Sequence, residues 1–493
     1  MTTQTKSPAQ EAGIDRGLIQ LAVVVVLGAI MTILDTTIVN VALPTLGKDF
    51  DASLSSIQWV ATGYLLALSM AIPLTGWAVQ RFGSRTMWLI SLGLFIGGSL
   101  LCGMAWDVTS LVAFRIVQGL GGGMIMPVGQ TMLARAAGPD RMGRVMSIVS
   151  IPAMLGPVLG PLLGGVIVDN LSWRWMFYVN VPLCAVALIA AVRLLPRDTE
   201  RNAEARLDFV GMALLCPGLA ALVYGLSEAG EGGDLSNPRF LAGSIAGAVL
   251  VAAFVVHALR RRENALIDIR LVRSRAWTTS TAGLFFYSGA MFGLMMLVPL
   301  YGSVVRGDSA LRAGMLLSPL GVGAAIAMSL AGKLSDRYGA RRLAPIGLVV
   351  ILAGILLLTT IDAGTGRTLV MGAMFLIGIG HGVMAPSLMA ASYQGLPRAS
   401  IPSATTGSNV LLRVGGSFGV AAIAVILQLA IQDHVPGASG NLKEAAAQQT
   451  AQTPAQLTAA VTDTVWWAAA IAALALIPLL LLPSKIRPKN EDQ

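Results

Sequence analysis

The decade Gly156 to Gly165, GPVLGPLLGG, sits inside an unbroken apolar stretch and spends four of its positions on glycine and two on proline. In water an interior glycine costs a helix about 1 kcal/mol and a proline about 3 kcal/mol, so no soluble core helix tolerates this run. It is workable where lipid forbids the backbone to unravel and small residues let helices approach closely. The segment therefore reads as a membrane helix shaped for packing or movement.

The rest of the chain agrees, since 55% of its 493 residues are hydrophobic and 12% are charged. A membrane helix needs roughly 17–25 apolar residues. Such spans fall near 18–39, 58–79, 86–105, 108–133, 145–168, 175–193, 209–227, 240–259, 278–301, 311–330, 343–361, 368–391, 405–429 and 464–482, fourteen in all. The first is expected to stay in the mature protein: Glu11 and Asp15 precede it, its apolar run is too long for a signal peptide, and no small-residue cleavage site comes before Asp35. With the amino terminus inside, cytoplasmic segments hold 25 of the 34 basic residues. That asymmetry sets a multi-pass topology with both termini cytoplasmic. The net charge of +9 thus reports topology and not nucleic acid; Arg260, Arg261 and Arg262 flank a span, where anionic lipid is within reach.

Metal and hydrolytic chemistry have little to stand on. Cys102, Cys184 and Cys216 all fall inside spans as small buried apolar residues. His257, His381 and His434 are scattered, so no metal and no enzyme activity is expected. His381, in IGIGHGVMAPS, is the one histidine deep in a span, where packing and proton relay are both open readings. No glycine-rich stretch followed by Lys-Ser or Lys-Thr offers an ATP site.

An internal repeat organises the spans. GWAVQRFGSR, with Gly76, Gln80, Arg81, Gly83 and Arg85, matches GKLSDRYGAR, with Gly332, Asp336, Arg337, Gly339 and Arg341. Each joins two spans by a tight cytoplasmic turn, as in a transporter built from related six-helix halves. The expected organisation is a cytoplasmic tail at 1–17, a six-helix bundle at 18–193, a linker with two inserted spans at 194–277, a second bundle at 278–482 and a cytoplasmic tail at 483–493.

These motifs resemble those of the major facilitator superfamily. The two loops are similar to its GxLADRxGRR loop, the first departing from it at Gln80. Gly156, Pro157, Gly160, Pro161, Gly164 and Gly165 resemble its fifth-helix antiporter motif. Together with LDTTIVNVALP, LVAFRIVQGLGGG, WRWMFYVNVP and RVGGSFGVA, they identify the chain as similar to the fourteen-span drug:proton antiporter family, the EmrB/QacA type. The resemblance implies an all-α polytopic fold of two six-helix bundles plus two inserted helices. It implies export of lipophilic small molecules such as drugs, dyes or antiseptics by alternating access, driven by inward proton flow with no cofactor beyond the proton gradient. The implied setting is a bacterial cytoplasmic (inner) membrane, with the chain a monomer and an envelope adaptor left open. Lipid or glycolipid export with weak proton coupling, and a non-transporting membrane sensor, stay open beside it.

Away from the span ends, three charges stand inside the membrane: Asp35, Arg115 and Arg413. Each costs about 2.5–3.5 kcal/mol at the bilayer centre and so needs a partner, water or a task. Asp35 and Arg115 are the expected proton-coupling residues, with Arg115 tuning a carboxylate or holding a water or carbonyl, and with Thr36, Thr37 and Asn40 placed to hydrogen-bond Asp35; helix packing by Asp35 and structural clamping by Arg115 stay open. Thr36, Asn40, Trp59, Tyr64, Gln118, His381 and Arg413 are the candidate cavity residues; Trp59 also suits an interfacial anchor and Arg413 a snorkelling one. One Asp against two Arg favours neutral, monovalent cationic or weakly acidic amphiphiles over bis-cations, unless Asp49 or Asp308 reaches the cavity mouth.

Overall fold

The computed structural model describes residues 15–138, 141–198, 202, 204–232, 237–261, 265–362, 364–435 and 453–484. Every regular element among them is helical, as expected of a backbone that must satisfy itself in lipid. In chain order these are α1 Arg16–Asp49, α2 Leu54–Ala71, α3 Leu74–Phe82, α4 Ser84–Gly103, α5 Val108–Ala137, α6 Met142–Asn170, α7 Trp175–Tyr178, α8 Asn180–Leu194, α9 Phe209–Gly232 and α10 Pro238–Arg260. They continue with α11 Arg275–Leu300, α12 Ala310–Met315, α13 Ser318–Tyr338, α14 Ala340–Leu358, α15 Arg367–Ala391, α16 Ile401–His434, α17 Thr453–Leu474 and α18 Leu476–Leu480. Among the described residues twelve helices are long and apolar enough to cross a membrane.

Several expected spans are longer or broken. The second is no straight helix over 58–79: its two pieces meet at 55°, where Pro73 has no N–H to continue the ladder and its ring crowds the preceding turn. The sixth divides at Val179 into α7 and α8. The first extends ten residues beyond its expected end, to Asp49. The expected outer loop 432–462 is helical at both ends, in α16 and α17, while 436–452 lie outside the described residues.

The two repeat loops fold alike for a backbone reason. Gly83 ends α3 at φ 93° and Gly339 ends α13 at φ 80°, a region any side chain enters only under strain. The reversal lets α4 and α14 start at the next residue.

Two large apolar cores result. One gathers α1–α8, with a few residues from α11, α15 and α16; the other gathers α11–α18. The halves meet where α6 packs along α13 and where α16 packs on α3 and α5. Between the halves in sequence, α9 and α10 form a hairpin closed on glycine: a methyl group added at Gly225 would stand 2.4 Å from Ser244 N, and one at Gly247 2.5 Å from Leu222 N. Its base is tied by Asp208, which accepts from the Gly211 amide, His257 Nε2, Arg261 and the Leu266 amide. Burial pushes the Asp208 carboxyl up, but the Gly211 amide and His257 outweigh it and hold the group below its ordinary range. The hairpin's α9 packs on α2 and α16, whereas only 11% of the α10 span is buried within the protein, so α10 faces lipid.

The glycine-proline helix α6 lies against α1. A methyl group at Gly156 would fall 2.0 Å from Ile33 Cγ2, and one at Gly160 1.9 Å from Thr37 Oγ1. Ile33 and Thr37 are one turn apart and form a ridge that enters the groove between these glycines. Gly165 has nothing within 4 Å of such a methyl. The side chains of Pro157 and Pro161 lie outside the described residues. Gly160→Ala is therefore expected to overpack the α1–α6 contact at a cost of about 1–3 kcal/mol, while Gly165→Ala is neutral. Thermal unfolding in detergent compares them; equal melting temperatures would remove the contact from the argument.

Candidate functional site

The site begins with a charge the first helix cannot shield by itself. Asp35 lies midway along α1 and is 0% exposed. Its Oδ2 accepts from Arg115 NH1 of α5 at 2.5 Å. Its Oδ1 accepts from Gln118 Nε2 at 2.8 Å and from Asn180 Nδ2, at the start of α8, at 2.9 Å. Three donors from two other helices thus replace the water the carboxylate has lost.

Arg115 is held just as fully, at 1% exposure. Its Nε donates to the Val60 carbonyl at 3.2 Å, and NH1 also donates to Gln118 Oε1 at 2.8 Å. The guanidinium lies 3.9 Å from the centre of the Tyr64 ring and 5.8 Å from that of Phe177, so its flat face is covered by aromatic π-density. Ser99 of α4 closes the network, accepting from Gln118 Nε2 at 2.7 Å and from Asn180 at 3.3 Å. Arg115 and Gln118 reach the same carboxylate because residues three apart share a helix face. Their helix can press that close because Gly119 and Gly123 face α2: a methyl at Gly119 would stand 2.6 Å from the Tyr64 carbonyl and one at Gly123 2.4 Å from that of Leu68.

Several sequence expectations need correction. Thr36 and Thr37 do not bond Asp35: Thr36 Oγ1 donates to the Thr32 carbonyl at 2.8 Å, and Thr37 Oγ1 to Ile33 and Leu34 carbonyls and to Gly156 O. Neighbours at i+1 and i+2 leave on other faces of a helix, and their hydroxyls turn back to their own backbone. The Asn40 side chain lies outside the described residues. Trp59 is 46% exposed and stacks at 6.1 Å on Tyr224 of α9, on the flank that the α9–α10 hairpin covers, whereas Tyr64 is fully buried beside Arg115. His381 is buried and bonds through Nδ1 to the Tyr287 hydroxyl, joining α15 to α11 away from the Asp35 network. Arg413 is exposed on α16.

The loops divide the work of joining the halves. Asp336 accepts from the Gly143 amide and from Arg144 Nε, both at 2.8 Å, so a carboxylate of one half caps the first turn of α6 in the other. Gly332 permits this approach, lying against Arg144 Cα. Arg337 lies over Tyr338 and Arg341 is exposed. At the first loop Gly76 meets Thr406 and Pro402. Gln80 donates to the Ala399 carbonyl at 3.5 Å, a neutral contact where the second copy has a charged one. Arg81 is half-buried, and Arg85 donates to the Val192 carbonyl. Asp198 of the linker supplies a carboxylate of its own to this loop, capping α4 through the Arg85 and Thr86 amides at 2.9 Å.

Asn180, Ser99, Phe177 and Val60 belong to the site without having been singled out. Asn180 had a signal: it is the one side-chain amide of WRWMFYVNVP, which leads into an apolar run. Among the described residues no group of His, Cys, Asp and Glu is arranged to hold a metal.

Comparison with known proteins places this arrangement. The sequence model of the Major Facilitator Superfamily matches residues 25–420. The multidrug resistance protein B homolog of Mycobacterium tuberculosis is 39% identical over 419 residues, covering 84% of this chain and 77% of that protein. The putative multidrug resistance protein MdtD of Klebsiella pneumoniae is 31% identical over 414 residues, covering 84% and 87%. In fold the chain is similar to the proton:xylose symporter XylE, with a TM-score of 0.64 at 15% identity over 95% of this chain and 96% of that one.

Removing Arg115 alone would strand a buried carboxylate. Arg115→Met is expected to cost about 3–5 kcal/mol of stability. Adding Asp35→Asn to it should recover most of that loss, because no unpaired charge then remains. Unfolding in detergent decides the matter: a double variant no more stable than Arg115→Met would show that the pair is not what holds these helices.

Proposed function

Since the chain belongs to the major facilitator superfamily and its relatives include multidrug resistance transporters, we propose that it is a proton-coupled antiporter. In this reading it exports lipophilic small molecules by alternating access. It is a multi-pass membrane protein; the proposed setting is the cytoplasmic membrane of a bacterium, with both termini cytoplasmic, the protein acting as a monomer and the proton gradient serving as its energy source. The fourteen-span drug:proton antiporter type is part of the proposal. Two elements beyond the twelve candidate helices support it: the bent α2–α3 pair and the 29-residue α6. The six-two-six division is supported by the two cores and the hairpin between them.

The observation that carries the reading is the sealed Asp35–Arg115 pair. An ionised Asp35 satisfies Arg115; a proton arriving on it removes the counter-charge and leaves buried and unpaired a guanidinium that cannot give up its own proton. Proton binding and a shift of α5 against α1 are therefore one event, and by linkage whatever favours the shifted state favours the proton. The shift has a route to the other half. Asp35 is flanked by Ile33 and Thr37, which seat in the Gly156 and Gly160 groove of α6, and α6 packs along α13.

The loop carboxylates are engaged elsewhere. Asp49 accepts from Trp173 Nε1 at 2.7 Å, and Asp308 is buried against Arg306 and Arg367. They offer no second negative charge for a bis-cation.

Asp35→Asn keeps an oxygen that accepts from Arg115 but cannot titrate. In vesicles with an imposed pH gradient it is expected to abolish gradient-driven dye efflux while dye binding persists. Full gradient-driven efflux by this variant would overturn the assignment.

A further inference from the structure

The charges inside the membrane do not cancel. Arg115 is matched by Asp35, which leaves Arg413. Its helix face is fixed by Asn409, one turn earlier on α16, whose Nδ2 donates to Gln130 Oε1 of α5 at 2.7 Å. Residues four apart share a face, so Arg413 looks across to the opposite half, one turn deeper along the helix than the contact that joins the halves. It is exposed there and lines a small cavity with Ser69 of α2, Ile72 just beyond that helix, and Leu219 and Val223 of α9. Among the described residues no carboxylate lies in ion-pair distance of it and no hydrogen bond reaches it.

A guanidinium stays charged at any working pH, and one held open within a membrane span is a functional-site candidate that calls for an anion or water as its partner. Its planar fork matches a carboxylate, sulfonate or phosphate oxygen pair. Ile72, Leu219 and Val223 offer an apolar wall beside it. A cationic substrate finds no such welcome, because the one carboxylate of the region is closed by Arg115, Gln118 and Asn180.

We infer that Arg413 is the recognition point for the anionic head of an amphiphile, whose apolar body packs against α2 and α9. The inference deepens the efflux reading and rests on it for the direction of transport. It narrows the substrate class from neutral, monovalent cationic or weakly acidic compounds to monoanionic amphiphiles. A free amphiphile and an anionic membrane lipid present the same chemistry.

The test uses one fluorescent scaffold in three charge forms: a dansyl-labelled undecanoic acid, its methyl ester and its amine-terminated analogue. Binding to the purified full-length protein in neutral detergent is read from dansyl emission. Wild type is expected to prefer the acid to both others, and Arg413→Gln to reduce the acid-to-ester affinity ratio about tenfold, with Arg413→Lys retaining most of it. Competition identifies the source: displacement of the acid by phosphatidylglycerol but not phosphatidylcholine assigns the head to a lipid, and displacement by dodecanoate alone assigns it to a free amphiphile. A wild-type preference for the amine needs no variant to fold and overturns the inference, as does an unchanged ratio in Arg413→Gln. Efflux of a neutral dye by wild-type vesicles under a pH gradient is scored separately, so failure of the transport reading is distinguishable from failure of this one.

Discussion

A carboxylate and a guanidinium buried together between α1 and α5 set the terms for the amino-terminal bundle. Either charge alone is expensive in the membrane interior, and neither has water: Asp35 is 0% exposed and Arg115 1%. The pair persists because both carboxylate oxygens and two of the guanidinium nitrogens have hydrogen-bond partners, most of them on other helices. Gln118 and Asn180 serve Asp35, the Val60 carbonyl and the Tyr64 ring serve Arg115, and Ser99 links the amides. The network therefore fixes α1, α2, α4, α5 and α8 relative to one another.

Movement then has to be transmitted through close packing, and glycine supplies it. The contacts that bring α5 to α2 and α6 to α1 leave no room for even one methyl group. Such surfaces let backbones and ridges seat closely, so any added carbon is felt at once. The same device closes the α9–α10 hairpin at Gly225 and Gly247. There it builds a rigid two-helix unit whose inner member fills the side of the molecule between α2 and α16.

What was legible in the sequence was what depends on composition and local backbone. The spans follow from apolar runs, the two tight turns from Gly83 and Gly339 with their positive φ, and the costly charges from their scarcity. What was not legible was who meets whom. Thr36 and Thr37 were natural partners for Asp35 by proximity in sequence, but helix geometry turns them away, and the donors come from residues 80, 83 and 145 positions distant. Trp59 had its partner hidden for a related reason. Its surroundings are set by Tyr224 on an inserted hairpin, and nothing in the repeat reveals where an insertion docks.

The two halves, alike in plan, have divided their charges differently. The first half keeps its ion pair inside the membrane and has a neutral residue, Gln80, at the loop position where the second half has Asp336. The second half joins His381 to Tyr287 in its interior and places its carboxylate at the loop, on the first turn of α6. Helix α6 is thus held at one end by a charge from the other half, through its amide dipoles and Arg144, and along its length by the ridge that flanks Asp35. Separating the halves at that end must break the Asp336 contacts. Moving α1 must disturb the Gly156 and Gly160 groove. One helix, α6, therefore carries both the charged contact that joins the halves and the groove that seats the helix of the buried carboxylate.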